Sequence, residues 1–387
     1  MIRKWFQKRF RFLVSLVFLG MAALMTTRGI AAEMKAQPFK PSETSVLAPV
    51  SFEEVASGFD IPWSLEFLPS GEILVTERSG KLFRLNLNTK KRDEITGVPK
   101  AKVGGQGGLL DAAVAPDFLK TQRIYLTYSK LVGALRSTAI GYGKLSSNQI
   151  IDFKEIFVAE PASNETLHFG SRIAFDRKGY LYFSVGDRGQ RNLAQSLQVH
   201  NGKILRLHED GRVPIDNPFV KTPGAKPEIW SYGHRNPQGL FYDQTRSELW
   251  SNEHGPRGGD ELNLIIPGKN FGWPVISYGR EYYGPKIGEG TEKIGMEQPK
   301  FNWTPSIGPA ALVRYQGSKL IGAKDLFFSA ALALTHLNLL RLKQSDSSED
   351  RWFTHQSLRI RDVIEGPDEL LYFSTDNGQI FRVKPGA

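Results

Sequence analysis

The stretch IAFDRKGYLYFSVGDRG, Ile173–Gly189, decides the fold. A short apolar run reaches a polar turn at Asp176 and Gly179. A strand rich in aromatic and β-branched residues follows and ends at Ser184, where a second glycine-bounded turn begins. The same strand-turn-strand unit recurs as LEFLPSGEILVTERSGKLFRL from Leu65, LDAAVAPDFLKTQRIYLTYS from Leu110, LFYDQTRSELWSNEHG from Leu240, ALVRYQGSKLIGAKDLFFSA from Ala311 and VIEGPDELLYFSTDNGQIFRV from Val363. Six copies at intervals of roughly 40–70 residues predict a radial repeat fold, in which each unit buries its faces against its neighbours.

The expected fold class is therefore all-β, a six-bladed β-propeller, with Ser51–Gly58 as the strand that closes the ring. A pair of two-sheet sandwiches is the alternative. No amphipathic run is long enough for a major helix. The longest insertions are expected at Gln190–Tyr232 and Asn263–Pro309, either side of the polar, turn-rich stretch Ser231–Gly259.

Composition narrows the function classes. The chain has 387 residues, enough for two domains or one large repeat fold, and 40% of them are hydrophobic, enough for a sizeable core. Residues 1–32 carry Arg3, Lys4, Lys8, Arg9 and Arg11, then the apolar run Phe12–Met25, then Gly29, Ala31 and Ala32. This is the pattern of a secretory signal, and the apolar run is too short to span a bilayer. The expectation is a periplasmic or secreted protein with a leader over 33–50, a single propeller over 51–387 and no stable membrane insertion after cleavage.

Residues 1–32 hold six Lys or Arg and no acid, so their loss lowers the formal charge from +10 to +4. With no basic run interleaved with aromatics elsewhere, nucleic acid is not an expected partner. Cysteine is absent, which excludes disulfides, thiolate catalysis and Cys-ligated metals.

Equivalent ends of successive blades meet at a propeller axis, so loops far apart in sequence can share a site. GGQGGLLD (104–111), HFGSR (168–172), VGDRG (185–189), GHRNPQG (233–239), NEHGPRGGDE (252–261) and RIRD (359–362) are such loops. His168 and Asp187 suit acid/base work, because an imidazole titrates near neutrality and a carboxylate on its other nitrogen fixes the tautomer. Arg235 with Asn236, and Arg359 with Arg361 on alternate strand positions, offer forked cations for a ligand bearing several carboxylates or phosphates. The carbonyls of Gly255 and Pro256, with Asp260 and Glu261 beyond, are donors of the kind a hard cation takes, although a plain surface turn reads equally well.

As a set, HFGSRIAFDRKGYLYFSVGDRG, GKILRL with PIDNPF, YGHRNPQGL, NEHGPRGGDELNLI and GKNFGWPVISYG resemble the soluble aldose sugar dehydrogenases that depend on pyrroloquinoline quinone (PQQ), within the glucose/sorbosone dehydrogenase family. The resemblance covers about residues 50–384 and implies a six-bladed propeller with PQQ over the axis.

By this resemblance His168 is the general base that takes the sugar C1 hydroxyl proton as hydride passes to PQQ, and Asp187 orients it. Gln106, Arg235, Asn236, Arg359 and Arg361 hold the quinone and its carboxylates. The Gly255 and Pro256 carbonyls bind a Ca²⁺ that polarises PQQ, and Glu261 with the Phe271 carbonyl binds a second, structural Ca²⁺. Trp303 lines the substrate mouth.

The partners so implied are an aldose and an external electron acceptor. One departure stands out: Ala333 falls where the family commonly presents a lysine, which implies weaker polarisation of the quinone unless another cation, such as Lys324, reaches the site. A redox-inactive sugar- or partner-binding propeller and a Ca²⁺-dependent lactonase are the alternative functions.

Overall fold

The computed structural model describes residues 47–343 and 347–386, so the expected signal and most of the leader lie outside the described residues. Six four-stranded antiparallel sheets make up the chain. Blade one comprises β2 (Pro62–Phe67), β3 (Ile73–Glu77), β4 (Leu82–Leu85) and β5 (Arg92–Ile95), and blade two β6 (Leu109–Val114), β7 (Arg123–Val132), β8 (Leu135–Ser146) and β9 (Gln149–Val158). Blade three contains β10 (Ile173–Phe175), β11 (Tyr180–Val185), β12 (Lys203–His208) and β13 (Ile229–Tyr232), and blade four β14 (Pro237–Asp243), β15 (Glu248–Glu253), β16 (Asp260–Ile265) and β17 (Phe301–Trp303). Blade five is β18 (Pro309–Arg314), β19 (Phe327–Ala331), β20 (His336–Arg341) and β21 (Ser348–Trp352). The sixth combines β22 (Ile360–Glu365), β23 (Leu371–Thr375) and β24 (Ile380–Pro385) with β1 (Val50–Ala56), which pairs antiparallel to β24 as its outermost strand.

Each sequence unit covers the first two strands of a blade, and those from Leu65 and Val363 take in the third as well. The second strands are buried along nearly their whole length, because each is covered on both faces by neighbouring blades; that is why they read as continuous apolar runs. One apolar cluster fills each gap: Leu74 and Leu82 meet Leu109 and Leu126, Tyr125 meets Leu181 and Phe183, Ile204 meets Leu249, and Trp250 meets Phe327. A larger cluster joins blades five, six and one through Phe328, Phe373 and Val75. At about 1.5–3 kcal/mol for each fully buried large side chain, these gaps hold the blades together without a disulfide.

The two expected insertions are shorter than the sequence suggests. Gln190–Tyr232 includes β12 and β13, and Asn263–Pro309 includes the second half of β16 and all of β17. The irregular connections that remain are residues 209–228 and 266–300. Helix is confined, among the described residues, to α1 (Phe118–Thr121) and a 3-10 turn at Arg191–Gln195. None of it is long and apolar enough to cross a membrane.

At the axis, one side chain ties all six blades. Arg172, which leads into β10, donates from Nη1 to Asp111 Oδ1 of β6 at 3.1 Å, from Nε to the Gln238 carbonyl of β14 at 3.0 Å and from Nη2 to the Ala310 carbonyl of β18 at 2.9 Å. It also pairs with Asp362 of β22 at 3.2 Å and lies 4.4 Å from the ring centroid of Trp63 in β2. Asp362 in turn accepts the Leu65 N–H at 2.6 Å, which joins blade six to blade one.

Candidate active site

The sheet topology brings the candidate residues to one end of the propeller. The loop leading into a first strand and the loop leaving a second strand lie at the same end of an antiparallel pair. Gln106, His168, Arg235 and Arg359 precede β6, β10, β14 and β22, while Asp187, His254, Ala333 and Asp376 follow β11, β15, β19 and β23.

A repeated device fixes these loops: an acid at the end of the second strand holds the segment feeding the first. In blade one, Glu77 accepts the Asp60 N–H at 2.8 Å. In blade three, Asp187 meets His168, and in blade four Glu253 accepts the Arg235 N–H at 2.6 Å and pairs with His234 Nδ1 at 2.8 Å. In blade six, Asp376 accepts from Arg361 Nε at 2.8 Å and Nη2 at 3.0 Å, and from Arg359 Nε at 3.1 Å.

His168 and Asp187 form a tight pair, with Nδ1 2.6 Å from Oδ1. His168 has φ of 55°, a left-handed conformation costly for a side chain of this size, and its surroundings hold it there. Its N–H donates to Gln106 Oε1 at 2.8 Å, and the Arg188 guanidinium, stacked 3.5 Å from the Phe169 ring centroid, donates to the Leu167 and Glu165 carbonyls just before it. Gly186 permits the close approach: a Cβ there would sit 2.2 Å from the His168 carbonyl oxygen and 2.8 Å from Asn236 Oδ1.

Asp187 is fully engaged. Oδ1 also accepts the Gly189 N–H at 2.8 Å, and Oδ2 accepts the indole N–H of Trp273 at 2.8 Å. Burial lowers the His168 pKa below the ordinary imidazole value, against the pull of Asp187, so the ring is neutral at neutral pH. For Asp187, burial would raise the pKa, but the hydrogen bond and charge of His168, with Arg235 and the Gly189 N–H, more than offset it and hold the group ionised.

Arg235 donates from Nη1 to the carbonyls of His254 at 3.1 Å and Gly255 at 3.0 Å, and lies 5.4 Å from the Trp273 ring centroid. Burial pushes the His254 pKa down to about 3, and the charges of Arg235, His168 and Arg361 act in the same direction. Arg361 is buried, whereas Arg359 is half-exposed and also donates to the Leu332 carbonyl at 2.7 Å. Ala333, beside Leu332, donates its N–H to the Ile307 carbonyl at 2.8 Å and is exposed at this rim. Lys324 lies in the connection between β18 and β19, at the opposite end of that strand pair from Ala333.

Among the buried polar atoms without a protein partner are Asn236 Nδ2, whose Oδ1 accepts the Gly170 N–H at 3.1 Å, and His254 Nε2. Unpartnered nitrogens among three guanidinium groups fit an anionic, carbonyl-bearing ligand such as PQQ. For a cation the fit is narrower. The Gly255 carbonyl is shared with Arg235, and that of Pro256 meets only Ser306 Oγ, at 3.4 Å. Asp260 shapes this turn by accepting the N–H groups of Gly255, Ile307 and Gly308 and the Ser306 hydroxyl.

Glu261 lies opposite Glu253 across β15 and β16, with Asn263 Nδ2 donating to both, and burial with the Glu253 charge drives its pKa up. Phe271 stacks on His234, the partner of Glu253, at 4.7 Å. Among the described residues no group of three or more His, Asp or Glu side chains is arranged to hold a metal, so a cation here would need main-chain carbonyls beside any carboxylate.

Trp303 is 2% exposed: its ring packs with Phe301 and Trp250 between blades four and five, and its indole donates to Asn338 Oδ1 at 3.2 Å. Sequence reasoning passed over Trp273, His254 and Asp376. The last was within reach, because TDNG after β23 sits where GDRG sits after β11.

Comparison with known proteins agrees with this geometry. Residues 59–382 match the family described as glucose/sorbosone dehydrogenase. The chain is 41% identical over 347 residues to aldose sugar dehydrogenase YliI of Escherichia coli, covering 87% of this chain and 94% of the relative. Among solved structures, the apo form of the soluble E. coli aldose sugar dehydrogenase superposes with a TM-score of 0.84 at 40% identity, over 87% of this chain and all of the other. The PQQ-bound aldose sugar dehydrogenase of Streptomyces coelicolor superposes with a TM-score of 0.72 at 28% identity, over 87% of this chain and 98% of the other. Six blades closed by an N-terminal strand, a buried His–carboxylate pair beside clustered arginines, and a family match across nearly the whole ring lead to one conclusion: the chain belongs to the glucose/sorbosone dehydrogenase family.

Proposed function

We propose that the protein is a PQQ- and Ca²⁺-dependent dehydrogenase that oxidises aldoses at C1 to lactones and passes the electrons to an external acceptor. The observation that carries this reading is the His168–Asp187 pair, neutral on one partner and ionised on the other, set beside Arg235 and Arg361 and the unpartnered nitrogens of Asn236 and His254. Bound PQQ would supply the hydride-accepting carbon.

Asp187 engages Nδ1, so the lone pair of a neutral His168 sits on Nε2, and that atom takes the C1 hydroxyl proton. The imidazolium so formed is stabilised by the adjacent carboxylate. Arg235, Arg359, Arg361, Asn236 and Gln106 would hold the carboxylates and quinone oxygens of bound PQQ, and the cations would favour negative charge there. The Gly255 and Pro256 carbonyls are assigned to one Ca²⁺, and Glu261 with the Phe271 carbonyl to a second. Residues 1–32 direct export to the periplasm or medium and are then removed.

The test is dye reduction by purified apoprotein supplied with an aldose, with and without PQQ plus Ca²⁺. Turnover that requires both cofactor and sugar is the expected result. A folded protein that binds PQQ yet reduces no dye across a panel of mono- and disaccharides would overturn the reading.

A further inference from the structure

Trp273 belongs to none of the six repeats. It lies in the long connection between β16 and β17, yet its indole N–H donates to Asp187 Oδ2 at 2.8 Å across 86 residues of sequence. Among the described residues that oxygen has no other donor. The ring of Trp273 also lies 5.4 Å from the Arg235 guanidinium, and a second cation, Arg191, stands 5.7 Å from it and is itself paired with Glu281.

The backbone locks this ring in place. The Trp273 N–H donates to the Gly233 carbonyl at 2.9 Å, two residues before Arg235, and its carbonyl accepts Gln195 Nε2 at 2.7 Å. Ala194 and Ile287 pack around the side chain. Lys203 secures the 3-10 turn beneath by donating its ammonium to the Leu193, Ala194 and Asn201 carbonyls, and Asn201 Nδ2 donates to the Asp187 carbonyl at 3.1 Å.

We infer that Trp273 is a positioning residue that sets the proposed base and the proposed cofactor clamp in register: its N–H fixes Asp187, and through it His168, while its ring seats Arg235. The inference rests on the assignment of His168 as base and Arg235 as clamp. A carboxylate with one oxygen held by a neutral donor cannot swing, so the imidazole it carries is held too. The indole also draws negative charge from Asp187 that would otherwise favour imidazolium. His168 is faced as well by Arg235, Arg188 and His254, none of which the indole replaces.

Two variants separate the roles. W273F deletes the N–H and keeps a ring; W273L deletes both. In full-length apoprotein, the downfield proton of the Asp187–His168 hydrogen bond, identified by its loss in H168Q, should shift or broaden in W273F. PQQ affinity by spectroscopic titration should stay within about threefold of wild type in W273F and fall at least about tenfold in W273L. In the reconstituted enzyme, W273F should lower kcat roughly 10- to 100-fold with little change in sugar KM, and the acid limb of the rate profile should move to higher pH.

An unchanged downfield proton and kcat in W273F, or undiminished PQQ affinity in W273L, would overturn the inference. If W273F does not fold, the wild-type indole N–H resonance of Trp273 decides the matter, since a bond to Asp187 requires it to move in D187N; no movement overturns the proposal. Turnover retained in H168Q would instead refute the base assignment, and the indole resonance and PQQ titration would still report what Trp273 holds.

Discussion

Asp376 and Asp187 are counterparts: each follows the second strand of its blade and grips the segment feeding the first, Asp187 reaching His168 at 2.6 Å and Asp376 reaching Arg359 at 3.1 Å as well as Arg361, just inside β22, at 2.8 Å. One carboxylate thus serves proton transfer and the other serves charge placement. Their substitutions should separate accordingly.

D187N keeps the shape but can offer its amide nitrogen to His168 Nδ1, which would shift the imidazole lone pair away from Nε2. We expect kcat to fall at least about 100-fold while PQQ affinity, measured by titration, changes little. Unimpaired turnover would remove Asp187 from the reaction.

D376A frees Arg361 and Arg359 from a shared carboxylate. The local charge becomes more positive, but two guanidinium groups lose their orientation. If orientation dominates, as bidentate recognition of carboxylates requires, PQQ affinity falls about tenfold or more. Tighter binding in D376A would show that charge alone governs.

R172M removes the one side chain that touches every blade and leaves Asp111 and Asp362 buried without their counter-charge. Loss of one partner from a buried pair costs about 3–5 kcal/mol. Urea unfolding should show a midpoint lowered accordingly, with the slope unchanged. R172K should also destabilise, because an ammonium cannot span the same directions as a guanidinium.

Acid should weaken the fold through its buried histidines. Burial lowers His168, and pushes His254 to about 3 and His336 to about 4. Below the ordinary imidazole value the unfolded chain binds protons that the folded chain refuses, so stability is present above about pH 6.5 and declines as pH falls towards 4. Thermal melts across this window should show the loss, and H336Q should flatten part of it.

W303F tests whether Trp303 serves the core or the substrate. With the ring in the core between blades four and five, the variant should lower Tm by a few degrees and leave Asn338 Oδ1 without its donor, while sugar KM stays within about twofold. A KM change of tenfold at unchanged Tm would return Trp303 to the substrate.

The fold was largely legible because the second strand of each blade is buried on both faces, so β3, β11, β15, β19 and β23 leave a strong apolar trace. Outer strands leave a faint one. RDEI in β5 and SEDRW in β21 are part-exposed and charged, and the comparably indistinct outer strands β13 and β17 were read as insertion. His168, Asp187 and the arginines were legible from loop composition. Trp273 was not, since its partner lies 86 residues away on a different blade. The burial of Trp303 was not legible either, since it depends on β17 turning its ring into the gap between blades.

Pairing of β1 with β24 joins segments some 329 residues apart, as between Glu53 and Arg382. Closing so long a loop comes late in folding, and until it happens β24 presents an unsatisfied edge on which another chain could add a strand. The ring is thus sealed only when β24 has emerged, whichever blades have already packed. Shortening either of these two strands should act less on the packed blades than on the kinetics of sealing, and appear as aggregation during refolding before it appears as lost activity.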